Sequence, residues 1–331
     1  MNNSFYLENP LPLKNGCLEI DNSFLEKLTT CPRALAYAYL QKRIPSGERP
    51  PLNFGTAIHA ALEYRYNECK NEAPNVMTDQ DILDKVLIPH FTKNPQPEDD
   101  HRTLQFAHEL VQMYNQRYNH EPFNLMVGKD GKVLSELSFA HPLMTYQEKQ
   151  WDKDSLTGYK ITREIPIIYT GRIDLPVLWD GMTIIIDHKT ASMLGSFYFD
   201  GLKVSPQFEG YCWAFEKLTG QPVSGFCINA IRTKAKPGKP TKGWDNWWDE
   251  CFGRHKEYLR PGQLAEWEHN VKHLINEFFW HYSNAFMPQK KKACTMYGKC
   301  AYYDVCYLPE ESRQQMLNSD LFTRNEWSPL K

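Results

Sequence analysis

Residues 170–189 read TGRIDLPVLWDGMTIIIDHK and predict a β-hairpin at the centre of the protein. The pair Asp180-Gly181 separates two apolar runs and is typical of a two-residue type I′ turn, which needs a positive φ at both central positions. Residues equidistant from such a turn face each other, so Asp174 is expected opposite Asp187 on one face of a hairpin. Lys189 lies two positions beyond Asp187 and projects to the same face. The stretch therefore predicts two carboxylates and a lysine that converge from adjacent strands.

This convergence has a chemical consequence. Two carboxylates at close range repel each other, and the pKa of one of them rises unless a cation lies between them. Mg²⁺ binds one or two carboxylates together with water and phosphate oxygens, and it can activate water against a phosphodiester. A neighbouring lysine can orient or deprotonate that water. The alternative is a surface hairpin with solvated charges, and Pro176 permits an edge position or a bulge that would break the pairing.

Hydrophobic periodicity extends this reading to the rest of the chain. Helices are predicted at 24–40 (interrupted near Pro32), 54–70, 101–118, 206–218 and 264–286, and strands at 132–140, 160–179, 182–189 and 223–231. This order favours an α/β fold with a central mixed β-sheet flanked by α-helices. No repeat or Gly/Ser linker divides the sequence, so residues 1–331 are predicted to form a single domain.

Composition limits the kinds of partner. The 331 residues are 41% hydrophobic and carry a formal net charge of −2, so a nucleic acid would be held by a local patch or a metal. No apolar run approaches the about 18 residues of a membrane span, and the first residues lack a signal-peptide pattern. We therefore expect no membrane association and a cytoplasmic, reducing location.

Two predicted helices carry polar pairs at i,i+4 spacing, which places each pair on one helix face. The first pair is His59 and Glu63 after Gly55, and the second is Gln207 and Tyr211. Imidazole suits Mn²⁺ better than Mg²⁺, so His59 makes Mn²⁺ a plausible ion. Each pair, taken alone, is more often part of an ordinary helix surface.

Nine cysteines are present, and three of them recur near the C-terminus at even spacing: Cys294, Cys300 and Cys306. Their intervals exceed the usual zinc spacing, and a four-thiolate site needs a further ligand, for which Cys31 is the candidate. Four thiolates suit an iron–sulfur cluster or zinc. The alternative is a set of free thiols.

Basic residues without acidic neighbours collect in one loop: Arg232, Lys234, Lys236, Lys239 and Lys242. This loop and the run 290–292 are candidates for phosphate contacts. Trp244, Trp247 and Trp248 follow the loop and could stack on unpaired bases or pack against the protein. Solvated loops are the alternative for both basic segments.

The motif Gly171-Arg-Ile-Asp174 followed by Asp187-His-Lys189 resembles the core of the PD-(D/E)XK nuclease superfamily, and the RecB-like exonuclease branch in particular. The resemblance implies a restriction-endonuclease-like core. In this core Asp174 and Asp187 bind the metal, the backbone carbonyl of His188 assists, and Lys189 is catalytic.

Three further positions extend the resemblance. His59 in its G-x-x-x-H pattern is similar to the metal-ligating histidine of the branch, and Gln207 and Tyr211 are similar to its Q-x-x-x-Y motif, which positions DNA or the hydrolytic site. Glu136 resembles a glutamate on an early strand of this core.

The one-plus-three cysteine arrangement resembles the iron–sulfur staple of AddB-like and CRISPR-adaptation nucleases. It implies a structural [4Fe–4S] cluster on Cys31, Cys294, Cys300 and Cys306 that joins the N-terminal helix (22–42) to the C-terminal segment (294–306). Those families have a shorter first C-terminal interval, and zinc is the alternative occupant.

Together these features predict a DNA nuclease dependent on Mg²⁺ or Mn²⁺, an exonuclease acting on single strands or duplex ends. One rival is a non-catalytic DNA-binding module that keeps the fold and the cluster; another is a zinc-stabilised interaction protein. The sequence has no G-x-x-x-x-G-K-[ST] motif, so any unwinding is expected from a helicase or recombination partner.

Overall fold

The structure is a computed structural model that describes residues 10–47, 49–154, 158–234, 247–296 and 298–325. The chain divides into two compact units. The first unit comprises Met1–Gly47, Ser138–Gly171 and Leu264–Lys331, and the second comprises Glu48–Leu137 and Arg172–Gln263. The assignment of residues 1–331 to a single domain stays a prediction.

Strands and helices occur in groups along the chain. The strands are β1 (Leu18–Ile20), β2 (Arg43–Pro45), β3 (Asn124–Leu125), β4 (Leu137–Trp151), β5 (Tyr159–Ile173), β6 (Leu175–Trp179), β7 (Met182–Ala191), β8 (Gly225–Arg232), β9 (Phe252–Tyr258) and β10 (Phe322–Arg324). The α-helices are α1 (Asn22–Thr30), α2 (Pro32–Leu35), α3 (Pro50–Cys69), α4 (Val76–Ile82), α5 (Ile88–Lys93), α6 (Leu104–Arg117), α7 (Ser196–Lys203), α8 (Pro206–Thr219), α9 (Gln263–Ser283), α10 (Tyr303–Tyr307) and α11 (Glu310–Leu317). Single π-helical turns follow α2 and α4, and short 3₁₀ turns cover Asp249–Cys251 and Lys291–Cys294.

The first unit contains the N-terminal helices and two small sheets, with strand orders β1-β5-β4 and β10-β2. Asp21 caps α1, because its Oδ1 accepts a hydrogen bond of 2.7 Å from the Phe24 amide. The helix ends before Cys31, which has an extended backbone, and Pro32 begins α2. The predicted interruption near Pro32 is therefore confirmed.

The second unit is built on a five-stranded sheet with the order β3-β6-β7-β8-β9. β7 and β8 are parallel, and the other neighbours are antiparallel. Helices lie on both faces: the core residues of α3 and α6 pack on one face, and Phe208 of α8 stacks on Phe226 of β8 on the other. The predicted mixed sheet flanked by helices is confirmed.

The hairpin at its centre has the predicted register from the turn to Leu175 and Ile186, and its ladder ends one position before the predicted pair of Asp174 and Asp187. Asp180 and Gly181 have φ values of 52° and 75°, as a type I′ turn requires. Pairing runs without a bulge from Trp179↔Met182 to Leu175↔Ile186. Pro176 does not disturb the hairpin, because β3 pairs with the next two residues of β6 and stops short of the proline.

Alternation along β7 divides its side chains between the two sheet faces. Ile184 and Ile186 enter the core beneath α3 and α6. Asp187 and Lys189 belong to the opposite set, which contains Ile185. His188 therefore lies on the face of α3, although both of its neighbours in sequence project from the other face.

Several elements differ from prediction, and the largest differences are in the strands. β4 begins at Leu137 and extends to Trp151, beyond the predicted 132–140, and β9 was not predicted. Residues 144–151 of β4 are largely exposed and polar, so they lack the apolar alternation that indicates a strand.

Among the described residues, no helix combines the length and apolar character needed to cross a bilayer.

Candidate functional site

Asp174 occupies the break between β5 and β6, within the second unit. Its Oδ2 accepts a hydrogen bond of 2.7 Å from the backbone amide of His188. The same oxygen lies 3.6 Å from Nδ1 of His59, which projects from α3. The carboxylate is thereby fixed against β7 and turned toward α3.

Glu136 completes a three-residue cluster with His59 and Asp174. One donor atom from each side chain lies within 4.8 Å of the other two. Glu136 is not on a strand, contrary to prediction: it precedes β4 with a φ of 48°, a conformation uncommon for a residue with a Cβ. Its amide donates to the Asp174 carbonyl at 2.8 Å, and Arg172 Nη1 lies 3.5 Å from its carboxylate.

The second cluster is a chain of polar contacts that begins at Asp187. Lys189 Nζ lies 2.7 Å from Asp187 Oδ2 and donates a 3.0 Å hydrogen bond to Gln207 Oε1. Gln207 Nε2 in turn donates to the Tyr211 hydroxyl at 2.9 Å. Ser205 caps α8 at this point, so the helix begins with Gln207 facing the lysine. The structure thus brings together the two sequence motifs from β7 and α8.

The donor atoms fit a divalent cation. One imidazole nitrogen and several carboxylate oxygens form a mixed set that Mn²⁺ accepts, and the carboxylates suit Mg²⁺. Within the described residues, Asp187 Oδ2 is buried and accepts no well-directed hydrogen bond, despite the close Lys189 ammonium. A buried carboxylate oxygen that accepts no hydrogen bond is well suited to bind a metal cation.

Burial and mutual repulsion perturb the carboxyl groups. Burial, followed by the charges of Asp174 and Glu63, raises the pKa of Glu136 to about 8. Burial and the charge of Asp187 raise the pKa of Asp174 to about 6, although His59 and Lys189 act in the opposite direction. The cluster therefore holds protons near neutral pH that a cation must displace.

This titration predicts that cation binding releases protons. Bound cations need deprotonated ligands, so Mn²⁺ affinity should rise with pH through about 6 and level off above about 8. Titration calorimetry at pH 7 in buffers of different ionisation enthalpy should show net proton release, and Glu136→Gln should release fewer protons. An unchanged proton count in that variant would contradict the prediction.

The metal-free protein should respond to pH in the opposite sense. Because the pKa of Glu136 is higher in the folded chain than in the unfolded chain, the folded state binds more protons between about pH 4.5 and 8. Stability without metal should therefore fall as pH rises across this window. Thermal unfolding in chelator should show a weaker pH dependence for Glu136→Gln.

A buried polar network lies on the α3 face of the sheet, opposite to the face that carries Asp187 and Lys189. His188, Asn229 and Arg254 are directly paired across β7, β8 and β9. Asn229 Nδ2 donates to His188 Nδ1 at 2.7 Å, and Arg254 Nε donates to Asn229 Oδ1 at 3.0 Å. Burial is the main cause that lowers the pKa of His188 well below its ordinary value, and the positive charges of neighbouring side chains such as Arg254 and Arg65 act in the same direction. The imidazole is thus a neutral acceptor.

The network ends in a shared carboxylate. Glu121 lies 2.5 Å from Arg254 Nη1 and 3.1 Å from Arg65 Nη1. Tyr66 donates to the same carboxylate at 2.9 Å, and its ring is parallel to His188 with centroids 5.8 Å apart. Sequence reasoning missed these residues, because their separation along the chain gives no local signal.

The four cysteines proposed as cluster ligands lie in the first unit as free thiols. Cys31 and Cys294 are buried, whereas Cys300 and Cys306 are half-buried. The Cys300 amide donates to the Cys294 carbonyl at 2.9 Å. The segment around Cys31 lies against the residues that precede Cys294, because Lys290 Nζ donates to the Thr29 carbonyl at 2.6 Å.

The basic loop is only partly described. Arg232 ends β8, lies 3.3 Å from Glu250 and covers the Trp247 ring at 4.3 Å, so its guanidinium is already engaged. Lys234 is exposed. The tryptophans at 247 and 248 pack on the core of the second unit. Lys236, Lys239, Lys242 and Trp244 lie outside the described residues.

Comparison with known proteins assigns the family. Residues 22–307 match the sequence model of the PD-(D/E)XK nuclease superfamily, and the chain belongs to this superfamily. Its nucleases use divalent cations, for which the cluster of His59, Glu136 and Asp174 is the candidate site. No curated protein matches the chain significantly.

Two solved structures are similar to this chain. One is a presumptive exonuclease from Eubacterium rectale, with 11% identity, coverage of 84% of this chain and 86% of that chain, and a TM-score of 0.44. The other is an alkaline exonuclease from Laribacter hongkongensis, with 11% identity, coverage of 74% and 98%, and a TM-score of 0.26. The family assignment follows from the match over residues 22–307 and not from these two structures.

Proposed function

We propose that this chain is a metal-dependent DNA nuclease of the RecB-like branch, which acts as an exonuclease on single strands or duplex ends. The observation that carries the proposal is the position of the His59, Glu136 and Asp174 cluster, since Asp174 is hydrogen-bonded to the strand that presents Asp187 and Lys189. Carboxylates and an imidazole can hold a divalent cation, and an ammonium can orient water or donate to a phosphate oxygen, so these groups suit phosphodiester hydrolysis.

Each residue has a role in this proposal. His59, Glu136, Asp174 and Asp187 would hold the cation, with the His188 carbonyl as a further oxygen donor. A bound Mg²⁺ or Mn²⁺ would lower the pKa of water and neutralise negative charge on the phosphodiester. Lys189 would hold the attacking water or donate to a phosphate oxygen.

Gln207 and Tyr211 limit the positions open to Lys189. The ammonium forms an ion pair with Asp187 at 2.7 Å and donates a hydrogen bond to Gln207 at 3.0 Å, so both residues restrict its position. Its remaining hydrogen-bond direction is available to substrate. The Tyr211 hydroxyl accepts from the Gln207 amide and thereby fixes which end of that amide faces the lysine. These two residues therefore position the lysine for hydrolysis.

Phosphate contacts away from the reacting bond are assigned in this proposal to the loop that carries Lys234, Lys236 and Lys239, with Arg232 at its start. Arg232 would need to exchange its contact with Glu250 for a phosphate oxygen. Strand separation is assigned to a helicase or recombination partner.

The proposal is tested with end-labelled linear DNA and circular DNA of the same sequence. We expect the linear substrate to shorten with Mg²⁺ or Mn²⁺, and not in chelator, while the closed circle survives. Cleavage of the circle would replace the exonuclease with an endonuclease. DNA binding without any metal-dependent cleavage would identify the non-catalytic module instead.

We further propose a structural [4Fe–4S] cluster on Cys31, Cys294, Cys300 and Cys306. Burial raises the pKa of Cys306, and the thiols of Cys31 and Cys300 add to this effect while Arg33 opposes it, so these groups are near neighbours. The Arg33 amide also donates to the Pro288 carbonyl at 3.2 Å. A cluster here would close a long chain loop, which restricts the unfolded state.

The cluster makes a compositional prediction. Anaerobically purified protein should be brown and contain about four iron and four sulfide per chain. Cys300→Ser should lower the iron content and the melting temperature, whereas Cys17→Ser, also a half-buried thiol of the first unit, should leave both unchanged. Zinc in place of iron would contradict the cluster and favour the alternative occupant.

A further inference from the structure

The segment that follows β7 leaves Lys189 and returns to it. β7 ends at Ala191, α7 spans Ser196–Lys203, and α8 then brings Gln207 within 3.0 Å of the Lys189 ammonium. The segment between β7 and α8 therefore has both of its ends at the candidate site. None of the residues of α7 is buried, and Phe197 is 91% exposed.

The sheet register places this segment beside the reactive groups. Lys189 is paired with Ala230 of β8, and Ala230 is paired with Gly253 of β9. Directly paired residues project to the same face, and strands are about 4.8 Å apart, so Gly253 lies about 10 Å from Lys189 in the same row. A Cβ at Gly253 would meet the Phe199 ring at 2.9 Å, so Phe199 covers this glycine.

Two further contacts anchor α7 to β9. The Phe199 ring lies 5.7 Å from His255, which shares a row with Asp187 through Ile228. Lys203 Nζ lies 3.0 Å from Glu257. These contacts hold one side of α7 on the face that also carries Asp187 and Lys189.

The opposite side of α7 faces solvent. Phe197 precedes Phe199 by two positions, which is about 200° around a helix, so it projects away from β9. Met193, in the connection to α7, is 67% exposed. Phe197 and Met193 are thus two large exposed apolar side chains in the segment that joins Lys189 to Gln207, and a contiguous exposed apolar patch indicates a binding surface.

We propose that Phe197 is a stacking platform for unpaired bases of the substrate strand beside the scissile phosphodiester. The inference rests on the proposed nuclease function. A strand whose backbone reaches Lys189 must carry its bases past the adjacent segment, and α7 presents an aromatic ring there. Aromatic rings bind every base through its flat face, so this contact is sequence-tolerant. It would favour frayed ends and single strands over paired DNA, whose bases are already stacked.

The test compares a thymidine strand with an abasic strand of the same length and backbone. Binding is measured by fluorescence anisotropy with Ca²⁺, and cleavage with Mg²⁺. We expect the wild type to prefer the thymidine strand by about tenfold, the equivalent of one stacked base. Phe197→Ala should lose this preference, and Phe197→Trp should keep it.

Matched controls are Val204→Ala, 82% exposed at the end of α7, and Met77→Ala, 76% exposed on α4. Both should retain the wild-type preference. The platform would be wrong if Phe197→Ala kept the preference for the thymidine strand, or if the wild type lacked it. Neither result would contradict the proposed nuclease function. A wild type that neither binds nor cuts either strand would overturn both.

Discussion

Lys189→Ala is expected to lose about 10²- to 10⁴-fold in DNA cleavage, the range for removal of a positioned proton-transfer group, while it still binds DNA. The ammonium is the cation nearest Asp187, and its side chain is 24% exposed, so it can reach substrate. Binding should persist because phosphate contacts are spread over many residues. The measurement is single-turnover cleavage of labelled linear DNA, with binding followed separately in Ca²⁺.

Lys217→Ala is the matched control, because Lys217 is exposed at the far end of α8 and lies over the Trp213 ring at 5.4 Å. It should cleave at close to the wild-type rate. Equal cleavage by wild type and Lys189→Ala would remove the lysine from the mechanism. Loss of cleavage in both variants would indicate a general electrostatic effect of removing a positive charge.

Arg254→Met is expected to destabilise the protein by about 3 kcal/mol, the cost of leaving a buried carboxylate without one of its cations. Arg254 is 10% exposed, donates to Asn229 and Glu121, and covers the Tyr118 ring at 3.6 Å. Arg65 remains beside Glu121, so the loss should fall at the lower end of this class. Urea unfolding followed by circular dichroism measures the change.

Arg117→Met provides the contrast. Arg117 also forms an ion pair, at 3.3 Å from Asp249, but the two side chains are 50% and 67% exposed. Exposed pairs contribute about 0–1 kcal/mol, so this variant should unfold near the wild-type midpoint. Adding Glu121→Gln to Arg254→Met should recover part of the loss. Equal effects of the two arginine substitutions would show that the network does not stabilise the fold.

The centre of the fold could be predicted because its signals are local. Asp180-Gly181 determines the turn, and the turn determines which residues of β6 and β7 face each other. The same-face placement of Asp187 and Lys189 follows from alternation alone. The helix predicted at 54–70 was found as α3, with Phe54, Ile58 and Leu62 buried, because helical periodicity depends only on neighbouring turns.

The remainder depends on contacts between distant segments. Glu136 reaches the cluster because its backbone adopts a positive φ and its amide binds the Asp174 carbonyl, and neither property is visible in sequence. Asn229 and Arg254 look like ordinary strand residues until the pairing of β7, β8 and β9 aligns them with His188. The roles of the cysteines and the basic loop stay predictions.

The division of β7 between two faces restricts how this protein can change in length. A one-residue insertion in the Asp180-Gly181 turn could shift the pairing of β6 and β7 by one position. His188 would then project from the α8 face, and Asp187 and Lys189 would project among the aliphatic side chains under α3. Such a variant would lose both the arrangement of its candidate catalytic residues and the packing of its core. We therefore expect related chains to differ in length in the outer connections and to keep an even number of residues in the turn of this hairpin.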